Sequence, residues 1–125
     1  MRFRRWLVAL FALLAFAVQA QDVLPVPPLG GRVIDQTATL TPAQVAALSA
    51  KLEAIETQRG AQVVVLVVPS TAPEDIAAYA QRVADTWKIG RRAVGDGLLI
   101  VVAKNDRSVR IEVAKTLEGA IPDVL

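Results

Sequence analysis

From residue 41 onward, apolar residues recur in two kinds of pattern, one at helical spacing and one in unbroken runs. Thr41-Pro42-Ala43-Gln44 is a helix start: a capping threonine, a proline at the first helical position, and a glutamine placed to close a capping box. Val45, Leu48, Leu52 and Ile55 then follow at helical intervals, and Gly60 stops the pattern, predicting a helix over about residues 42–58. Val63 to Val68 is a continuous aliphatic run, which predicts a strand over 61–68 buried on both faces. Pro69-Ser70-Thr71 ends it, and a second helix is predicted from near Pro73. Ile76, Ala80, Val83, Ala84 and Trp87 mark its inward side, and Lys88-Ile89-Gly90 closes it. After an Arg91–Gly95 loop, Leu98 to Ala103 reads as a second buried strand. Ser108 to Val113 alternates, with one dry face and one bearing Arg110 and Glu112.

The order is α-β-α-β-β, with Pro122-Asp123-Val124-Leu125 reading as the first turn of a third helix. A β-α-β unit closes right-handed with parallel strands, whereas the four-residue Lys104–Arg107 link returns the last strand antiparallel. The fold class is therefore α/β, an open αβα-type sandwich of two parallel buried strands plus an antiparallel hairpin strand. Arg32-Val33-Ile34-Asp35 is either a short further strand or an ordered loop. Two helices barely cover two faces of such a sheet, so the domain over 32–125 is expected to be incomplete at its C-terminus, the helix begun at Pro122 being cut short.

The first twenty residues follow a different rule. Arg2, Arg4 and Arg5 precede the thirteen-residue apolar run Trp6–Val18, and Val18-Gln19-Ala20 supplies small residues where signal peptidase cuts. The run falls short of the roughly 20 residues of a spanning helix. Residues 1–20 are thus expected to be a signal peptide cleaved after Ala20, with an exported, periplasmic or cell-envelope product. Any membrane link would run through that segment or through a C-terminal tether beyond Leu125. Residues 21–31 form an extended lead-in punctuated by proline and glycine.

Composition changes the picture once the leader is set aside. The formal charge of +2 includes three leader arginines, so the remainder carries −1, and its aromatics are Tyr79 and Trp87. Without a basic excess or stacking platforms, no nucleic-acid partner is expected. With no His and no Cys, His-based triads, thiolate zinc sites and disulfides are excluded.

Candidate chemistry follows from the hairpin. A turn at 104–107 sets Leu98 opposite Val113 and Ile100 opposite Ile111, and brings Asp96 level with Lys115, with Glu118 just beyond. Asp96 and Glu118 should therefore converge at one end of the sheet, and Asp123 can approach the same end. Carboxylates with loop carbonyls from Gly95–Gly97 suit calcium, which accepts six to eight oxygens at about 2.3–2.6 Å. Asp35 is a further candidate ligand whose end of the sheet the sequence does not determine. The same residues also have structural readings: Asp96 as a turn residue, Glu118 paired with Lys115 or Arg92, and Asp123 at a helix N-terminus. At the other end, Ser70 and Thr71 precede a helix, but no Gly-rich phosphate loop accompanies them, and capping of that helix accounts for both. Arg110 and Glu112 read either as an ion-paired solvated stripe or as support for a ligand, and become a buried pair if a further helix covers their face. Trp87 reads as core and Arg91-Arg92 as a solvated loop.

Gly31-Arg32-Val33-Ile34-Asp35, the capping signal at 41–44, Gln62 before its valines, Trp87-Lys88-Ile89-Gly90, Asp96-Gly97-Leu98-Leu99, Arg110-Ile111-Glu112 and Leu117-Glu118-Gly119 occur in that order. Together they resemble the TPM domain, a family with thylakoid phosphatase, photosystem II repair and bacterial exported members of the YgcG type. The resemblance spans roughly residues 28–125 and implies calcium binding in some members and phosphatase activity in others. Where many members carry Gly-aromatic-Gly before Leu-Glu-Gly, this chain has Ala114-Lys115-Thr116.

Three function classes follow. The favoured one is a non-catalytic periplasmic module that binds an unidentified envelope protein, with calcium as its candidate ion. The second is a phosphatase-like hydrolase acting on phosphoesters, which needs a nucleophile with its base or a metal-bound water. The third is an incomplete fragment of a longer membrane-tethered protein.

Overall fold

The computed structural model describes residues 22–90 and 96–113. Six elements follow one another: β1 (Val33–Asp35), α1 (Pro42–Arg59), β2 (Ala61–Val68), α2 (Ile76–Trp87), β3 (Asp96–Ala103) and β4 (Ser108–Val113). The sheet has the order β1-β2-β3-β4, with β1, β2 and β3 parallel and β4 antiparallel to β3. The α/β sandwich thus gains a fourth strand, because Val33–Asp35 pairs with Val65–Val67 instead of looping free. The hairpin register is the one derived from the turn: Leu98 opposes Val113 and Ile100 opposes Ile111.

Local chemistry explains the element ends. Thr41 Oγ1 accepts from Gln44 N–H at 3.1 Å while Gln44 Oε1 accepts from Thr41 N–H at 2.9 Å, a reciprocal capping box, with Pro42 in the first turn. Gly60 closes α1 in the left-handed conformation at φ 70°, which glycine adopts without a Cβ penalty. The second helix starts later than expected, at Ile76 rather than near Pro73. Residues 71–74 form a separate turn, in which Glu74 N–H donates to Thr71 O and Thr71 Oγ1 donates to Glu74 O. Ser70 and Thr71 therefore do not cap α2. Its N-cap is Asp75, which makes no side-chain capping bond.

Two apolar clusters lie on opposite faces of the sheet. Under α2, Val64, Leu66, Val68, Leu99, Val101 and Ala103 pack against Tyr79, Ala80 and Val83. Under α1, Val33, Val63 and Leu52 are joined by half-buried Leu40, Val45, Leu48, Val65, Leu98 and Ile100. The two covers are unequal. Helix α2 packs on β3 and β4, whereas α1 packs on β1 and β2. This overturns two expectations. The continuous run 98–103 is not equally buried on both faces: Leu99, Val101 and Ala103 are buried towards α2, while Leu98, Ile100 and Val102 stay half-buried because α1 lies to one side of them. Strand β4 also turns its charged face inward. Arg110 pairs with Val101 and Glu112 with Leu99, so both share the α2 side, where their side chains are 20% and 16% exposed and lie 3.3 Å apart. Its apolar face looks the other way, with Val109 58% exposed. Alternation sets which residues share a face; which face is dry depends on where the helices land. In the same way Ile55, one of the helical-spacing residues of α1, is exposed, because α1 rides over the sheet edge.

Candidate functional site

The two ends of the sheet carry different chemistry. At the carboxyl ends of the parallel strands, Asp35 closes β1. One of its carboxylate oxygens accepts from Thr37 N–H at 2.9 Å and Thr37 Oγ1 at 2.6 Å, and the other from Leu40 N–H at 2.7 Å. Burial pushes the Asp35 carboxyl up, but these bonds together outweigh it and hold the group below its ordinary value. The carboxylate thereby folds residues 36–40 into the turn that feeds α1, beside a cleft of about 550 Å³ lined by Val33, Ala38, Leu40 and Val45. Next along the rim, Ser70 Oγ lies 2.8 Å from both carboxylate oxygens of Asp106 and accepts from Ala72 N–H, while Thr71 N–H donates to Asp106 at 3.1 Å. The hairpin tip and the β2–α2 turn are thus pinned together. Lys104 N–H to Val68 O and Asn105 N–H to Pro69 O complete the joint.

At the other end stands Asp96, the first residue of β3, level with Ala61. Asp35 is level with Val67. Six residue steps along β2 separate the two positions, about 20 Å at strand rise. Asp35 and Asp96 therefore cannot ligate one ion. Glu118 and Asp123 lie outside the described residues. Among the described residues no group of three or more acidic side chains is close enough to hold a metal ion.

Beside Asp96, the amino end of the sheet is held by a joint that hydrophobic patterning does not announce. Gly97 packs so closely on Gly90 that a Cβ there would stand 2.7 Å from Gly90 Cα and N and from Ile89 Cγ2. Gln62, paired with Gly97 across the strands, accepts from Gly90 N–H at 3.0 Å. The polar Gln62 ahead of its valines, Ile89-Gly90 and Asp96-Gly97 are thus parts of one contact. The nearby cleft of about 320 Å³ is bounded by Leu29–Gly31, Arg32, Glu56 and Gln62, with Arg32 Nη2 donating to Glu56 at 2.7 Å.

A third polar arrangement was invisible in the sequence. Three side chains of α2 hold the lead-in: Arg82 Nη2 donates to Leu24 O at 2.6 Å, Tyr79 Oη reaches Pro25 O at 3.5 Å, and Trp87 Nε1 donates to Pro27 O at 2.8 Å. Trp87 is half-buried rather than purely core, its indole edge facing the strap. Arg82 also donates to both Glu74 oxygens, and its guanidinium lies 5.3 Å from the Tyr79 ring centroid. Burial pushes the Tyr79 phenol up against the opposing pull of Arg82, and the hydrogen bond from Arg82 to Glu74 raises the guanidinium further. The apolar pair Leu24 and Val26, set among prolines, packs on the α2-side core.

The described residues include no helix long and apolar enough to cross a membrane. No curated protein is significantly similar to the chain in sequence. The N-terminal domain of a P. gingivalis protein is 28% identical, with a TM-score of 0.70 over 82% of this chain and 71% of that one. The N-terminal domain of a Corynebacterium glutamicum protein shares the fold at 16% identity, with a TM-score of 0.60 over 76% of this chain and 62% of that one. The TPM domain matches residues 33–125, from the first strand onward, and the chain belongs to the TPM domain family.

Proposed function

We propose that this TPM domain works outside the cytoplasm as a non-catalytic module that binds an envelope protein and holds a calcium ion. The observation that carries the non-catalytic reading is how the carboxyl rim is used. In open α/β sheets that rim is where substrates sit, yet here Ser70 and Thr71 bond to Asp106, and Asp35 bonds to Thr37 and to main-chain N–H groups. A serine bonded to an exposed carboxylate and accepting a turn N–H is a structural lock rather than an activated nucleophile. The leader pattern of residues 1–20 supports export. The half-exposed apolar row Ile100, Val102, Val109 and Ile111 supports a partner-binding role.

The calcium ligands proposed are Asp96, Glu118 and Asp123, with carbonyls of the loop before β3. Asp35 is left out, because its oxygens already accept three hydrogen bonds at the far rim. Thermal denaturation across a calcium titration tests the site. A ligand that binds the native state at 100 times its dissociation constant stabilises by about 2.7 kcal/mol. The midpoint is expected to rise at millimolar calcium, and Asp96→Asn to cancel the rise; an unchanged midpoint in the parent refutes the site. Calcium-dependent release of phosphate from a chromogenic phosphomonoester, abolished by Asp96→Ala, would replace the non-catalytic reading with the phosphatase one.

A further inference from the structure

The lead-in is an occupant of a groove as well as a connection. Residues 24–28 read Leu-Pro-Val-Pro-Pro, so three of five positions lack an N–H and the segment can be recognised through its carbonyls and its shape. Helix α2 presents donors suited to that need. Arg82, Tyr79 and Trp87 address the carbonyls of Leu24, Pro25 and Pro27, while Leu24 and Val26 enter the apolar cluster beneath. Aromatic and arginine donors reading a preformed proline-rich strand is an established recognition mode between separate chains. Glu74 holds the Arg82 fork in position from within α2's own neighbourhood, so that donor does not depend on the strap for its placement.

The occupant is joined to the domain by a loose link. Leu29, Gly30 and Gly31 are exposed, and a Cβ added at either glycine meets nothing within 4 Å. β1 begins immediately after, at Val33, with Arg32 O already accepting from Val65 N–H. A well-recognised segment on an exposed Gly-Gly hinge is the arrangement that permits exchange of identical elements between protomers.

We propose that the Tyr79–Arg82–Trp87 face of α2 is a receptor for an extended proline-rich segment, filled by the chain's own residues 24–28 in the monomer and by those of a second copy when the Leu29–Gly31 hinge opens. The same contacts serve both states, so the exchange is governed by concentration and hinge length. A short tether supplies the cis segment at an effective concentration on the order of millimolar, so the exchanged form belongs to crowded or surface-concentrated chains.

Complementation tests this with the protein as recovered from its producing cell. One variant, Leu24→Asp/Val26→Asp, spoils the strap and keeps the receptor. The other, Glu74→Gln/Arg82→Met/Trp87→Phe, spoils the receptor, neutralises its ion pair together and keeps the strap. Native mass spectrometry of each alone is expected to show monomer, and a mixture up to about 1 mM to show a 1:1 heterodimer. No heterodimer between two variants that retain parental far-UV circular dichroism overturns the proposal. So does a heterodimer that survives when the strap of the second variant is spoiled too. A third chain with parental strap and receptor, lacking residues 29–31, can no longer close in cis and is expected to dimerise. If it stays monomeric at the same concentration, the receptor does not act between chains.

Discussion

The Gly97–Gly90 contact gives the sharpest test of how the amino end of the sheet is built. Gly97→Ala places a methyl carbon 2.7 Å from two main-chain atoms of Gly90 and from Ile89 Cγ2. Because two of the three neighbours are main-chain atoms, Gly90 itself must shift rather than a flexible side chain. Overpacking of a tight site costs about 1–3 kcal/mol. Movement of Gly90 also weakens its 3.0 Å bond to Gln62, and leaving a buried N–H short of a partner costs a further ~1–3 kcal/mol. Against this, replacing a strand glycine by alanine recovers about 0.5–1 kcal/mol. Taken at their midpoints these terms leave a net loss of about 3 kcal/mol. For a domain of this size each kcal/mol shifts the melting midpoint by about 4–8 °C, so the midpoint should fall by roughly 10–25 °C. Thermal melting followed by far-UV circular dichroism measures that shift, and urea unfolding measures the free-energy loss, with an unchanged m-value showing that native and denatured compactness are as before. Gly31→Ala is the control, since nothing lies near its added carbon, and it should stay within about 0.5 kcal/mol of the parent. If Gly97→Ala also falls within that margin, the close approach of β3 to Gly90 does not organise this end of the fold.

Thr41→Ala removes one half of the capping box and should cost about 1 kcal/mol in the same unfolding assay, with Thr41→Ser retaining most of the parent stability. The Asp35 carboxyl titrates below its ordinary value in the folded state. Its contribution is therefore fully present above the unfolded pKa of about 3.9 and lost as pH falls through the lower folded value. Asp35→Asn should flatten the acid limb of a stability-versus-pH profile below about pH 4 relative to the parent; an unchanged limb contradicts the hydrogen-bond account.

The sequence alone was enough for most of what rests on local periodicity and turn chemistry, the start of α2 excepted, where the Thr71–Glu74 turn took the place of a first helical turn. The capping box at Thr41–Gln44, the stop at Gly60, the strand runs at 61–68 and 98–103 and the four-residue hairpin link are short-range features. Parallel and antiparallel pairing then followed from connection length. The register of β3 against β4 was legible for the same reason, because a four-residue link leaves few ways to align its flanking strands. Tertiary structure decided what depends on relative placement. Whether Val33–Asp35 was a strand depended on a free edge of β2 being available. Whether Arg110 and Glu112 faced water or protein depended on α2 landing over β4 while α1 landed over β1 and β2. Asp35 and Asp96 were both acidic residues beside the sheet, and their separation by the length of β2 became visible only with the register of three strands in hand. The clamp on residues 24–28 joins positions 54 to 60 apart in the chain, and side-chain donors reaching main-chain carbonyls leave no periodic trace, since a carbonyl is common to every residue.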